Sequence, residues 1–288
     1  MRKVVVCGQS RLTTAVLKTL IESTQELAIS ILSPAVPAAD SLALLSQMGH
    51  NPLVKLTAKA WPTVDVLVVT DFGEATGADF QPVMLEQLRK VMSAAMAAGF
   101  QGKVLVATHD DAVLTYFAQR FSGLPKTSVI GLGTFGLSAC FERLVSAQLK
   151  VPRRQVTAYV VGTARQPVLL WSRAYVAATP LLALLPPVDG VADPLLTQVS
   201  DAVSQYAQGD AAIFWPALVQ RVLAGLFGQP LLAPLTYIQD DAAWAVPVLI
   251  NESGAQVLSP MTAADAEMAA LDAVHTTQAA QVAAIQGE

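Results

Sequence analysis

The sequence predicts an α/β fold whose first half is a doubly wound parallel sheet. Three continuous apolar runs, Lys3–Cys7, Val64–Thr70 and Gly102–Thr108, have the length and composition of strands that are buried on both faces. Segments with helical spacing of apolar residues separate these runs, and this alternation is typical of a parallel sheet covered by helices. A chain of 288 residues is also long enough for two subdomains.

The first β-α-β unit comprises the strand Lys3–Cys7, the helix Arg11–Ile21 and the strand Glu26–Leu32. Apolar residues at helical spacing indicate the helix, and a tight turn at Gly8 precedes it. The other elements predicted before residue 132 are the helix Ala39–Met48, the short strand Leu53–Leu56, the strand Val64–Thr70, the helix Gln81–Ala98, the strand Gly102–Thr108 and the strand Val129–Gly131.

The turn after the first strand is where a dinucleotide-binding fingerprint, GxGxxG, is expected. This chain has Gly8-Gln9-Ser10-Arg11-Leu12-Thr13, so only the first glycine is present. Ser10 and Thr13 are predicted to place side chains where the missing glycines allow approach of the pyrophosphate and close helix packing. The second strand ends in Ile31-Leu32-Ser33, without the acidic residue that holds a ribose. The loop therefore argues against NAD binding, and Arg11 is either a solvated side chain or a phosphate ligand.

Composition excludes some classes of partner. The net charge of −4 disfavours nucleic acid and anionic membranes. The N-terminus shows no signal peptide, and no uninterrupted apolar run reaches the roughly 20 residues of a membrane span. The two cysteines, Cys7 and Cys140, lack metal-ligand spacing, so we expect a reduced, cytoplasmic protein without a metal. The apolar fraction of 53% favours a subunit that buries area in an oligomer.

The stretch Val129–Ser172 resembles the centre of the L-lactate/malate dehydrogenase family, and Val246–Leu258 resembles that family's C-terminal strand pair. The residues shared with the central motifs are Gly131, Gly133, Thr134, Ala139, Leu144, Ala158, Tyr159, Gly162, Trp171 and Ser172. The resemblance implies a Rossmann-like, NAD-binding-type domain over 1–132, followed by a mixed α/β C-terminal domain of the substrate type over 133–288. It also implies a dimer or tetramer.

The second half is predicted to begin with a helix opened by Thr134. The elements that follow are the strands Val156–Val161 and Pro167–Trp171, the helices Asp193–Ala207 and Ile213–Phe227, the hairpin strands Leu235–Ile238 and Ala245–Ile250, and the closing helix Thr262–Ile285. Pro216 predicts a kink or a late start for the second of these helices.

The resemblance places other residues at the family's catalytic positions. Leu137 stands at the catalytic aspartate, Cys140 at the arginine that holds the substrate carboxylate, and Ala164 at the catalytic histidine. Arg143 and Arg165 are the nearest substitutes for the arginine. Hydride transfer needs a proton acceptor matched to neutral pH, for which histidine is best suited, and no other histidine can be aligned with Ala164.

The resemblance assigns further positions around the cleft. Thr70 lies in the turn beside the cofactor, Asp79 falls near the family's mobile-loop arginine, and His109 takes the place of an asparagine that helps to hold the nicotinamide ribose and the substrate. The substrate-pocket threonine is replaced by Ala211 or Ala212. His109, Asp110 and Asp111 form a cluster that allows a metal or general-base hypothesis. A helix start, with Asp110 as N-cap and Asp111 favoured by the helix dipole, is the favoured interpretation of that cluster.

Three interpretations of function follow. The favoured one is a degenerate family member, a pseudoenzyme without dehydrogenase turnover that binds a protein partner or a small ligand. The alternative is an NAD-dependent oxidoreductase acting on a 2-hydroxy or 2-oxo acid with atypical active-site residues. The third is different chemistry in the same cleft, using His109, Asp110 or Cys140. A fold alone does not decide between them.

Overall fold

The computed structural model describes residues 1–33, 36–73, 80–109, 111–185 and 194–287. Its first half alternates strands and helices, as the apolar runs predict. In chain order the elements are β1 (Arg2–Cys7), α1 (Arg11–Glu22), β2 (Leu27–Ile31), α2 (Ala39–Met48), β3 (Val66–Val69), α3 (Phe80–Ala97), β4 (Lys103–Val106), α4 (Asp111–Ser122) and β5 (Val129–Gly131).

The second half begins with a long helix and returns to the same sheet. Its elements are α5 (Phe135–Leu149), β6 (Val156–Thr157), β7 (Val160–Gly162), β8 (Pro167–Leu169), β9 (Tyr175–Val176), β10 (Thr179–Pro180), α6 (Pro194–Ala207), α7 (Ala211–Leu226), β11 (Leu231–Ile238), β12 (Ala243–Asn251), β13 (Gly254–Gln256) and α8 (Asp265–Gln286).

One sheet runs through both halves. Over the described residues its order is β2-β1-β3-β4-β5-β11-β12-β7-β8, with β13 paired to β12. The strands β2 to β5 are parallel, whereas β11 pairs antiparallel with both β5 and β12. A smaller sheet, β10-β9-β6, lies beside it. The predicted doubly wound first half and mixed second half are both confirmed.

Helices cover the sheet on both faces because its parallel strands are apolar on both faces. Two apolar clusters contain alternate residues of the same strands: Val4 and Val6 belong to one cluster, and Val5 and Cys7 to the other. A third cluster joins α5 to α6 and to the small sheet. Among the described residues, no helix has the length and apolar character needed to cross a membrane.

Apart from shifts in the ends of elements, such as the strand Pro167–Trp171 that ends at Leu169, three predictions differ from the structure. The strand Leu53–Leu56 is reduced to one parallel bridge between Leu53 and Ile29 at the edge of the sheet. The strand Val156–Val161 is divided, because β6 pairs with β9 in the small sheet while β7 pairs with β8 and β12. A late start of the helix at Pro216 was the wrong alternative, because Asp210 caps the helix and accepts a hydrogen bond from Ala212 N at 3.0 Å.

Candidate active site

The candidate site lies where three adjacent parallel strands end. Gly8 follows β1, Asp71 comes shortly after β3, and His109 shortly after β4. The chain leaves β1 towards β2 on one side, and β3 lies on the other, so the strand order reverses here. In open α/β sheets, the crevice at such a reversal is the usual place for a ligand. Gln9 N donates to the carbonyl of Asp71 across this crevice at 2.8 Å.

The hydroxyls of the fingerprint loop point into the protein. Thr13 Oγ1 lies 2.7 Å from Thr70 Oγ1 and accepts a hydrogen bond from Ser10 N, while Ser10 Oγ accepts one from Thr13 N. Ser10 and Thr13 are 2% and 0% exposed. The two side chains therefore form a capping box at the start of α1. The prediction that they project into the cleft was wrong.

Gly8 is the one fingerprint glycine that the chain retains, and its surroundings explain why. Its φ is +154°, and a Cβ built there would lie 2.0 Å from Thr70 Oγ1 and 2.7 Å from Thr13 Oγ1. Gly8 N donates to Ser33 Oγ at 2.8 Å. Ser33 follows β2, at the position where a dinucleotide site has its acidic residue. Its hydroxyl accepts the hydrogen bond of Gly8 N.

This loop fits the phosphate half of a dinucleotide better than the ribose half. Among the backbone amides at the start of α1, the side chains of Ser10 and Thr13 bond Thr13 N and Ser10 N within the capping box, and helix N-termini favour anions. Arg11 lies at that N-terminus with a side chain that is 70% exposed, and it pairs with Asp210 at 3.1 Å. Arg11 is thus both exposed to solvent and ion-paired with Asp210. At the position of the acidic residue that binds the ribose, this chain has the hydroxyl of Ser33 in place of a carboxylate.

A histidine–aspartate pair is the main feature of the crevice. His109 Nδ1 lies 2.6 Å from Asp71 Oδ2, and the backbone N of His109 donates to Asp71 Oδ1 at 3.2 Å. The Asp71 side chain is 1% exposed, whereas that of His109 is 42% exposed. A carboxylate on Nδ1 fixes the proton of a neutral imidazole there, which leaves Nε2 as an acceptor. The pair therefore has the arrangement of a positioned general base.

The helix α7 completes this wall of the cleft. The ring of Trp215 lies 5.2 Å from the His109 ring, with 37° between the planes. Asp210, the N-cap of α7, makes the ion pair with Arg11 and so links the starts of α7 and α1. Trp215 and Asp71 together hold the imidazole from two sides.

His109 lines a small pocket of about 60 Å³. The loop that contains Ala164, which the resemblance places at the family's catalytic histidine, lines the same pocket. Thr163, Ala164 and Arg165 form this part of the lining, and α4, α8 and Gln81 of α3 supply the remainder. The loop is a tight turn, because Thr163 N donates to Gln166 O at 3.2 Å and Gln166 N to Thr163 Oγ1 at 3.1 Å. The pocket thus brings together a histidine and an arginine that lie far apart in the sequence.

The other two family positions lie in apolar surroundings. Leu137 is 5% exposed within the third apolar cluster, and Cys140 packs against the same cluster. Burial raises the pKa of the Cys140 thiol, and the nearby Arg143 lowers it by a smaller amount. A thiol with a raised pKa is a poor nucleophile at neutral pH, so the hypothesis of an activated Cys140 is disfavoured. Arg143 is exposed on α5.

The remaining predicted residues have varied places. Asp79 and Asp110 lie outside the described residues, so the proposed N-cap at Asp110 stays a prediction. Asp111 is in the first turn of α4, and its Oδ2 accepts hydrogen bonds from Gly133 N and Thr236 Oγ1, both at 2.7 Å. Ala211 and Ala212 form the first turn of α7. In the described part of the chain, no group of three or more metal-ligating side chains was found.

Sequence reasoning missed the pairing of His109 with Asp71. A signal was available, because both residues come just after buried parallel strands, and β3 and β4 are neighbours in the sheet. The carboxyl ends of parallel strands meet at one edge. The stacking of Trp215 on His109 had no comparable signal, since it depends on how α7 packs across the crevice.

Similarity to known proteins points to one family. The chain is 31% identical over 227 residues to an L-lactate dehydrogenase of Staphylococcus saprophyticus, and the match covers 72% of this chain and 71% of that protein. It is 31% identical over 183 residues to L-lactate dehydrogenase 1 of Staphylococcus aureus, covering 59% and 58%. No family model matches the chain.

Solved structures share the fold. The minor L-lactate dehydrogenase of Enterococcus mundtii, in its ligand-bound form, superimposes with a TM-score of 0.83 at 21% identity, covering 96% of each chain. A lactate dehydrogenase from a Medee basin deep-sea metagenome library gives a TM-score of 0.84 at 20% identity, covering 100% of each chain.

Proposed function

This chain belongs to the lactate/malate dehydrogenase family, and from that membership we propose that it is an NAD-dependent oxidoreductase acting on a 2-hydroxy or 2-oxo acid through atypical residues. The observation that carries the proposal is the pair of His109 and Asp71, joined at 2.6 Å beside the pocket. This pair supplies the base whose absence at Ala164 favoured a pseudoenzyme on sequence alone. Relatives named L-lactate dehydrogenase support the same choice.

His109 carries the proton in this proposal. In the oxidative direction, Nε2 accepts the proton of the substrate hydroxyl, and in the reductive direction it returns that proton to the carbonyl oxygen. The buried Asp71 carboxylate holds Nδ1 and stabilises the imidazolium that forms. The nicotinamide, when bound, accepts or supplies the hydride. Trp215 limits the orientations of the imidazole.

Arg165 holds the substrate carboxylate in this proposal, in place of the arginine whose position is Cys140. Arg165 borders the same small pocket as His109, and its loop is fixed by the hydrogen bonds between Thr163 and Gln166. A guanidinium can hold a carboxylate with two parallel hydrogen bonds, which also sets the direction of the substrate.

The dinucleotide is proposed to bind at the crevice residues named from the sequence: Gly8, Ser10, Arg11, Thr70 and His109. Gly8, Ser10 and Thr70 shape the loop, and Arg11 provides positive charge at the N-terminus of α1. Because Ser33 replaces the acidic ribose ligand, we expect weaker binding of the adenosine ribose than in a complete fingerprint site.

A protein without turnover remains the second candidate, because Leu137 is buried in an apolar cluster where the family has its catalytic aspartate. In this case the cleft retains a small ligand or a partner but transfers no hydride. Both candidates use the same fold and the same cleft, and they differ only in whether the protein turns over a substrate.

The test combines NADH binding with a screen of 2-oxo acids for NADH oxidation. We expect saturable NADH binding, a raised melting temperature and turnover with at least one small 2-oxo acid. His109→Gln should lower kcat by roughly 10² to 10⁴-fold, well beyond any change in NADH affinity, because the proton acceptor is lost. His50→Gln, at an exposed histidine outside the cleft, is the matched control. Binding without turnover would favour the second candidate, and no binding at millimolar NADH would exclude the oxidoreductase.

We further propose that the protein is a cytoplasmic homo-oligomer with its two domains at 1–132 and 133–288. Leu44 and Met48 on α2 are 63% and 82% exposed, which is consistent with an apolar contact on that helix. Light scattering at micromolar concentration is the measurement, and a clean monomer would contradict this proposal.

A further inference from the structure

A second, larger pocket lies in the C-terminal half, away from His109. Its volume is about 670 Å³, and its walls include β12, the segment 257–262, the first half of α8 and the small sheet. Small-molecule sites are typically about 300 to 1,000 Å³, mostly apolar, with a few polar groups. The two pockets share no lining residue.

The wall of this pocket contains a buried donor without a partner. Trp244 is 9% exposed, and within the described part of the chain its indole Nε1 is buried and makes no hydrogen bond. A buried donor that lacks an acceptor is destabilising, because its hydrogen bond to water is lost without replacement. An acceptor oxygen supplied by a ligand would satisfy the indole and remove this cost.

The surroundings of Trp244 indicate the kind of ligand. The ring of His275 packs against the indole at 4.9 Å between centroids, and its side chain is 44% exposed and hydrogen-bonded to Asp241. Tyr159 and Met268 add an aromatic ring and a flexible apolar chain to the lining. Arg173 and Asp272 also border the pocket and give it one positive and one negative group.

We propose that this pocket binds a small aromatic carboxylic acid. The flat apolar body would lie against the aromatic lining. A carboxylate oxygen would accept the hydrogen bond of Trp244 Nε1, a buried atom that neighbouring side chains must first uncover. Arg173 would balance the charge of the carboxylate. This site is independent of the proposed dehydrogenase chemistry, because none of its residues belongs to the cleft of His109.

The test is calorimetric titration of the purified full-length chain with 2-naphthoate. We expect one saturable site, and Trp244→Phe should weaken binding by roughly tenfold or more, since the hydrogen bond to a charged acceptor is lost. Trp61→Phe, which alters a tryptophan in the first half, is the matched control and should leave the affinity unchanged. His109→Gln should also leave it unchanged.

Two further measurements keep the result decisive. Met268→Trp fills the pocket from α8 and should abolish binding without a lower melting temperature, even if Trp244→Phe folds poorly. Absence of saturable binding, or equal affinity for Trp244→Phe, would overturn the proposal.

A second copy of the chain is the other possible occupant of the pocket, because Leu232 and Leu258 on its lining are 46% and 58% exposed. If Leu258→Asp dissociates an oligomer and 2-naphthoate binds only to the dissociated chain, the pocket is an interface between copies, which would contradict a ligand site.

Discussion

At the scale of residues, the fingerprint loop shows how polar substitutions can be absorbed without filling a cleft. Ser10 and Thr13 replace glycines, yet each hydroxyl finds a partner inside the protein. The hydrogen bond between Thr13 and Thr70 joins α1 to the end of β3 at a position with no solvent access. A side chain at a glycine position therefore need not obstruct the ligand.

Thr13→Val and Thr70→Val are each expected to lower the free energy of unfolding by about 1–3 kcal/mol, because each leaves a buried hydroxyl or amide unpaired. The double variant should cost less than the sum of the two, since the lost partners are shared. Urea denaturation of the four proteins measures the coupling. Thr276→Val, at an exposed helix position, is the control, and strict additivity would contradict a direct bond.

Cys7 makes stability depend on alkaline pH. Burial raises the pKa of its thiol to about 12, although the contact with Ser33 lowers it somewhat. Because the unfolded thiol titrates near 8.5, only the unfolded state gains from deprotonation between about pH 8.5 and 12. Stability should therefore be unaffected below this window and fall within it by up to about 1.4 kcal/mol per pH unit. Cys7→Ala should lack this dependence, and parallel pH profiles of the two proteins would contradict the assignment.

At the scale of elements, the start of α7 determines the geometry of the cleft. Its N-cap, Asp210, binds both Ala212 N and the Arg11 guanidinium, while Trp215 one turn later contacts His109. The capping residue thus positions an aromatic ring against the proposed base. Ala211 and Ala212, the residues that the resemblance places at the family's substrate-pocket threonine, lie in this first turn.

Two substitutions separate the cap from the ion pair. Asp210→Asn keeps a capping oxygen and should cost at most about 0.5 kcal/mol, because the Arg11 pair is exposed. Asp210→Ala removes the cap and should cost about 1 kcal/mol or more. Thermal unfolding of both variants is the measurement. An equal loss in the two would mean that the ion pair, rather than the cap, stabilises the helix.

At the scale of the whole molecule, Asp111 joins the parallel and antiparallel parts of the sheet. Its carboxylate accepts hydrogen bonds from Gly133, just after β5, and from Thr236 on β11. Gly131 is crowded at the same place, since a Cβ there would lie 2.5 Å from Asp111 Oδ2. Asp111, which was predicted to lie at a helix start, therefore also connects the loop after β5 to strand β11.

Asp111→Ala should lower the free energy of unfolding by about 3 kcal/mol, because two charge-assisted hydrogen bonds are lost and the Thr236 donor stays buried. Thr236→Val removes only one donor and should cost about half as much. Denaturation followed by circular dichroism distinguishes the two values. Equal losses would show that the Gly133 bond contributes nothing.

Much of the fold followed from the sequence, because apolar runs and helical spacing are local signals. Helix α2 and strand β5 were predicted to the residue, and most other boundaries to within a few residues. The division of Val156–Val161 between two sheets could not be predicted, since it depends on which distant strands pair with each part. In the site, the placing of Leu137, Cys140 and Ala164 at the family's catalytic positions stays a prediction from the sequence. The pairing of His109 with Asp71 required knowing that β3 and β4 are neighbours.

The continuous sheet has a mechanical consequence for the cleft. Since β5 pairs with β11 at Gly131 and Thr236, the two halves cannot swing apart as hinged bodies without breaking this pairing in the middle of the sheet. Ligands must then enter past side chains and loops while the framework stays fixed. Small-angle scattering should accordingly give the same radius of gyration with and without a saturating ligand. Adaptation to a new substrate would therefore have to come from exchanging individual cleft residues.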